Sequence, residues 1–192
     1  MRIFLTVLIL IFNLQSWSKA DDIRDFEIEG LSIGDSLLER YDEDYILTQT
    51  NAYGQYPGSN TFVRGQFYKN VKEYDALIIH YRKKEKKYKI YGISGVIDFR
   101  DSIQDCYEKM NKIEFDLNSM TSSLEKKSSN NKHRADESGK STYKTYSYNF
   151  KTYDAIQLQC YDWSENTNFT DHLRLNISHH ELRKWIQNEA YK

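Results

Sequence analysis

Asn70-Val-Lys-Glu-Tyr-Asp-Ala-Leu77 returns as Asn149-Phe-Lys-Thr-Tyr-Asp-Ala-Ile156, with five of eight positions identical at a spacing of 79 residues. The likeness extends both ways. Leu31-Ser-Ile-Gly-Asp35 resembles Asp101-Ser-Ile-Gln-Asp105, and Tyr91-Gly-Ile-Ser94 resembles Leu175-Asn-Ile-Ser178, in the same order. Ordered self-similarity of this kind is the signature of a repeated unit. It divides the chain into repeats at about 30–98 and 99–192, separated in offset by the polar stretch Glu125–Ser141, which reads as a mobile loop, 125–141.

Each repeat then has the plan helix, strand, strand, strand. In the first, Ser32 and Asp35 read as a helix start with Leu37, Leu38 and Tyr41 on the apolar face. Strands follow at Thr61–Tyr68, Asp75–Arg82 and Tyr88–Ile97, the last two joined by the basic turn Lys83-Lys-Glu-Lys-Lys87. In the second, Ile103, Cys106, Met110, Ile113, Leu117, Met120 and Leu124 step by three and four, the stripe of a one-sided helix capped by Ser102. Strands are expected at Ser141–Phe150, Ala155–Trp163 and His172–Ser178. Ser178-His-His-Glu181 has the capping-box pattern of a last helix, with Leu182, Trp185, Ile186 and Ala190 on its apolar side. The expected fold is α+β: a mostly antiparallel sheet of about six strands, with helices on one face.

Residues 1–20 have the pattern of a secretory signal peptide: Arg2, an apolar run from Ile3 to Leu14, and Ser18-Lys19-Ala20 before a cut. Twelve residues of helix reach only about 18 Å, short of a hydrocarbon core of about 30 Å. The rest, 21–192, is expected as a single secreted or periplasmic domain with no membrane span. In an oxidising compartment Cys106 and Cys160 are expected as a disulfide, the alternative being two buried thiols. Alternation in the strand puts Cys160 on the core face, and the helical stripe does the same for Cys106. Both therefore enter one layer.

The whole chain carries 27 Lys+Arg and 28 Asp+Glu, net −1; removing Arg2 and Lys19 with the leader takes it to −3. That balance argues against nucleic acid as the partner. The search for chemistry yields no catalytic constellation, no metal site and no cofactor. His179-His180-Glu181 at a helix start lacks the spacing of a zinc helix and, even with His172, reads as solvated first-turn residues. Gly92-Ile-Ser-Gly95 lacks the spacing of a nucleophile elbow and reads as a strand with a bulge. Gly54-Gln-Tyr-Pro-Gly58 has no Lys for a phosphate. The acidic run Asp42, Glu43, Asp44 reads as a solvated face. The strand face turned away from the helices is left, and it carries His80, Arg82, Gln157, Gln159, Tyr161, Trp163, Arg174 and Asn176. Tyr, Trp and Arg are the residue types enriched at binding hot spots, and an exposed Trp163 would mark that face.

Asp22-Ile-Arg-Asp-Phe-Glu-Ile-Glu-Gly30, followed by Ser32-Ile-Gly-Asp-Ser-Leu-Leu38, resembles the opening of a group of small secreted proteins of marine bacteria. That resemblance implies localisation and no mechanism. The layout of two helix-plus-sheet repeats resembles the β-lactamase-inhibitor-protein-like fold, which implies protein partners and not catalysis. The expectation is a non-catalytic interaction module that binds a protein or cell-envelope component through the open sheet face. The alternative is a small secreted hydrolase using carboxylate and His acid–base residues.

Overall fold

A computed structural model describes residues 22–192; the expected leader, 1–20, lies outside the described residues. The chain opens with a two-stranded hairpin, β1 (Glu27–Ile28) and β2 (Leu31–Ser32), and then α1 (Glu43–Ala52). Three strands follow: β3 (Phe62–Phe67), β4 (Ala76–Arg82) and β5 (Ile90–Asp98). The long helix α2 (Ile103–Met120) leads into β6 (Glu125–Lys132), β7 (Thr142–Asn149), β8 (Ala155–Asp162), β9 (His172–Ser178) and the closing helix α3 (His180–Asn188). The fold is α+β, with a seven-stranded sheet in the order β3-β4-β5-β9-β8-β7-β6 and every neighbour antiparallel.

Each half of the sheet is a meander, and the two meet at the central β5–β9 pair. The aspartates of the two matched stretches do the same work. Asp75 Oδ2 accepts from the Asp98 amide at 2.8 Å, at the end of β5, and Asp154 Oδ1 accepts from the His180 amide at 2.6 Å, at the start of α3 just after β9. The repeat is proposed on the sequence, and this shared role is the structural detail in its favour.

Leu77, Ile79, Ile93, Ile156, Leu158, Leu173 and Ile177 form one face of the sheet with almost no exposure. They pack against α1 over β3 and against α2 over β8 and β9. Each such side chain contributes about 1.5–3 kcal/mol by leaving water. Cys106 of α2 and Cys160 of β8 form the expected disulfide, with Cα atoms 6.1 Å apart and both side chains fully buried. Among the described residues no helix is long and apolar enough to cross a membrane.

Four expectations are corrected. Ser32 does not open a helix. Glu29 and Gly30 both have positive φ, and this turn closes the β1–β2 hairpin instead. The Ser32–Asp35 pairing exists, but it makes a turn: the Ser32 amide donates to Asp35 Oδ2 at 2.8 Å. The first helix begins later, where Asp42 caps α1 through the Tyr45 amide and Glu43 and Asp44 fill its first turn. Acidic residues there complement the positive end of the helix dipole, and all three are exposed, so the run is the solvated face expected and also a helix start. The stretch 125–141 is not a loop throughout. Its first eight residues are β6, paired with β7 along its whole length, and the strand count is seven.

The fourth correction decides the site. The helices do not share one face. α3 lies on the face opposite α1 and α2, where Leu182 and Trp185 pack with Phe62 in a second, smaller core. Gly92 makes this possible, because Leu182 occupies the space a Cβ there would need. The helix start also moves by one residue: His179 is the cap, its Nδ1 accepting from the Glu181 amide, while Ser178 ends β9.

The two edges of the sheet differ. β6 at one end has all eight side chains exposed. At the other end the Gln55 side chain lies along β3, donating to Arg64 O at 2.8 Å and accepting from Arg64 N at 3.0 Å, as a neighbouring strand would.

Candidate functional site

The second face of the sheet is covered over β3–β5 and open over β9–β7. The covered end is built from α3, the loop carrying Tyr56, and the C-terminal turn. The Tyr56 ring meets Trp185 edge-on at 5.1 Å and Tyr191 at 5.3 Å. His80 is buried beneath them, with Nε2 3.0 Å from the Tyr56 hydroxyl. Burial, with Arg64 and Arg174 nearby, pushes its pKa down to about 3, so the ring is neutral at ordinary pH. Arg82 also belongs to this end. It pairs with Glu181 and lies 5.1 Å from the rings of Phe62 and Tyr91.

The open end is a groove of about 870 Å³. Its floor is made by alternate residues of adjacent strands in one register: Ser94 opposite Asn176, Asn176 opposite Gln157, and Arg174 opposite Gln159. The polar side chains bond one another across the strands. Ser94 Oγ donates to Asn176 Oδ1 at 3.1 Å and Asn176 Nδ2 to Gln157 Oε1 at 3.3 Å, while within β8 Tyr161 OH donates to Gln159 Oε1 at 3.1 Å. Leu182, Arg183 and Ile186 of α3 form one wall.

The other wall is the β6–β7 connection. His133 folds onto Trp163 at 4.3 Å, and the Arg134 guanidinium lies 4.5 Å from the Tyr191 ring. Asp136 holds this connection in place. Its carboxylate accepts from the Ser138 amide, from the amide and hydroxyl of Ser141, and from the Ser164 hydroxyl, which keep its pKa well below the ordinary carboxylate range.

An aromatic stack runs along the outer part of the floor. Tyr161 lies between Tyr143 (5.5 Å, 20° between planes) and His172 (4.5 Å, 17°). Burial, then Arg174, lowers the His172 pKa to about 4. Trp163 is not the exposed marker expected from the sequence. It is half-buried between His133 and Phe169, at 4.3 and 4.5 Å, and serves as the mount for the β6–β7 wall.

The charge pattern is one-sided. Lys132, Arg134, Arg174, Arg183 and Lys184 line the groove, and among the described residues no Asp or Glu does. Arg174 is the central member. It is half-buried in the floor, its Nε is out of contact with solvent and has no hydrogen-bond partner, and no carboxylate is within ion-pair distance among the described residues. Its nearest support is the Tyr161 ring at 5.4 Å. A partly desolvated charge without a counter-charge costs free energy, and folded chains normally remove it by pairing.

Of the eight expected site residues, His80, Gln157, Gln159, Tyr161, Arg174 and Asn176 line this groove, while Arg82 and Trp163 are committed to packing and pairing outside it. Reading the sequence alone missed the walls, with Lys132, Arg134, Arg183 and Lys184 on them.

A separate cluster, Asp154, His179 and His180, brings ligand atoms within 4.8 Å of one another and has the donor types for a divalent metal. These histidines are half-buried and not solvated as expected. His172 is not among them. Asp154 accepts from both the amide and Nδ1 of His180, the latter at 3.1 Å. The amide bond repeats the role Asp75 plays in the other half with no histidine present, so a structural task accounts for the aspartate.

Comparison with known proteins returns no match by family model, by curated sequence or by solved structure.

Proposed function

We propose that the protein is a secreted or periplasmic binding module without catalytic activity, taking a protein or cell-envelope partner in the groove on the second face of its sheet. The observation that carries this reading is Arg174, a half-buried guanidinium with no counter-charge in a groove lined by five cations and no carboxylate. An arrangement that costs stability in the free protein is explained if an arriving ligand supplies the missing charge. The leader-like residues 1–20 and the buried disulfide support the compartment.

The hydrolase alternative has one feature in its favour: the face is concave, with neutral His80 and His172 close to it. Its weakness is the absence of any lining carboxylate to complete an acid–base pair with them.

The test is affinity capture from envelope and culture-fluid fractions, with tagged wild type and Arg174→Gln as paired baits. A component retained by wild type and lost by the variant supports the reading. Equal capture by both, with the variant folded, removes the groove from it. Turnover of ester, glycoside or peptide substrates that disappears in His80→Ala or His172→Ala would put the hydrolase first.

A further inference from the structure

We infer that the groove binds an acidic oligosaccharide chain, with its anionic groups on Arg174 and the wall cations and its hydroxyls on the amide floor. This inference rests on the binding-module reading above and names the ligand class of the same site.

The geometry favours a chain over a single ion. The floor crosses β5, β9, β8 and β7, three strand spacings of about 4.8 Å each, or about 14 Å. The cations do not converge on one point. Lys132 and Arg134 stand on one wall, Arg183 and Lys184 on the other, and Arg174 between them. Charges distributed in this way suit repeated anionic groups.

The floor chemistry favours a sugar over a peptide. Gln157, Gln159, Asn176, Tyr161 and Ser94 present donors and acceptors side by side, and a vicinal diol needs both. The floor strands are paired on both edges, so a peptide cannot add to them as a further strand in the groove.

At the lip of the groove an aromatic ring stands in solvent. Tyr153 is 71% exposed and has φ +70°, a backbone conformation that costs a non-glycine residue energy. Arg183 donates to its carbonyl, and the Lys184 ammonium lies 5.8 Å from its ring. An exposed ring beside a cation is a stacking platform for the apolar face of a charged sugar.

The experiment is calorimetric titration of the full protein with oligogalacturonate, oligomannuronate and sulfated dextran. The matched probes are methyl-esterified oligogalacturonate, which keeps the hydroxyls without the charge, and poly-glutamate and a thymidine oligonucleotide, which keep charge without the sugar chain's hydroxyl pattern. The expected result is salt-sensitive binding of at least one acidic glycan, at least about tenfold tighter than all three controls. Arg174→Gln should weaken it about tenfold or more. Arg134→Gln and Tyr153→Asn should weaken it less. The last keeps a residue tolerant of positive φ while removing the ring. Because Arg174→Gln breaks no bond or ion pair of the free protein, the variant is expected to fold.

Equal binding of poly-glutamate or the oligonucleotide would overturn the glycan assignment, as would equal binding of the esterified glycan. No binding of any acidic glycan would overturn it too. If Arg174-dependent capture of some other component persisted, the module reading would survive that failure; if capture also failed, both would fall.

Discussion

The two ends of the second sheet face begin from the same kind of sequence and finish differently. Over β3–β5, polar residues at alternate positions are consumed by structure: His80 is buried neutral under Tyr56, and Arg82 is paired with Glu181. Over β9–β7, the corresponding positions are Gln157, Gln159, Tyr161 and Arg174, and α3 covers none of them fully. The same alternation therefore makes a small second core at one end and a cationic groove at the other. The difference comes from the helix after the last strand. A helix that crosses to the second face spends half of it on packing, and the half it leaves open is bounded by that helix as a wall.

The largest expected effect concerns the core beneath the open end. Replacing both Cys106 and Cys160 by Ala should cost about 4 kcal/mol on the chain-entropy estimate for a loop of 54 residues. A denaturation midpoint measures this. Because the bridge ties α2 to β8, hydrogen exchange should show β7–β9 losing protection before β3–β5. The reverse order would mean that the covered end is the weaker one.

Trp185→Ala acts on the covered end and should cost about 3 kcal/mol, the scale of a large aromatic lost from a packed site. With the cover loosened, the His80 pKa should rise from about 3 towards 6.5, read by NMR titration of the ring.

The two histidines make the comparison pH-dependent. Both have folded pKa values depressed below the ordinary 6.5, to about 3 for His80 and about 4 for His172. The unfolded chain therefore takes up protons first. Their contribution is complete above about pH 6.5 and is lost as pH falls towards the folded values, by at most about 1.4 kcal/mol per pH unit for each ring. His172, in the aromatic stack of the open end, should protonate before buried His80. The opposite order in an NMR titration would erase the distinction between the ends.

The smallest effect is one of sign. Arg174→Leu should raise stability by about 1 kcal/mol, since it removes a half-buried unpaired charge. Arg82→Leu removes an ion pair whose members are each about two-fifths exposed, and it should lower stability by no more than about 1 kcal/mol. Chemical denaturation of the two variants side by side is sufficient, and equal signs would deny that Arg174 is kept for a ligand.

How much of this was legible in the sequence depended on periodicity. The strands β3, β4, β5, β7, β8 and β9 and the stripe of α2 announce themselves by apolar spacing, and the disulfide follows from two core-facing positions. α1 was hidden because only Ile46 and Thr50 of its residues are buried, too few to make a stripe. β6 was hidden because a strand exposed on both faces, Glu-Lys-Lys-Ser-Ser-Asn-Asn-Lys, has no alternation to read. The side taken by α3 was also out of reach, since Leu182, Trp185, Ile186 and Ala190 define an apolar stripe without saying which surface it meets. Gly92, where Leu182 needs the room, was the available clue. The floor of the groove was thus readable and its walls were not, because walls depend on where polar segments are placed in space.

The edges of the sheet carry a consequence for molecules at high concentration. A sheet that ends in unpaired amides and carbonyls invites another chain to continue it, the first step towards fibrous aggregation. Here one end is stoppered by a single amide, Gln55, whose two bonds to Arg64 use up the place where an incoming strand would begin. The other end is β6, which offers a newcomer Lys126, Lys127 and Lys132 and no apolar side chain to bury. The chain can therefore be crowded without its sheets joining, and Gln55→Ala is the change that should first let them.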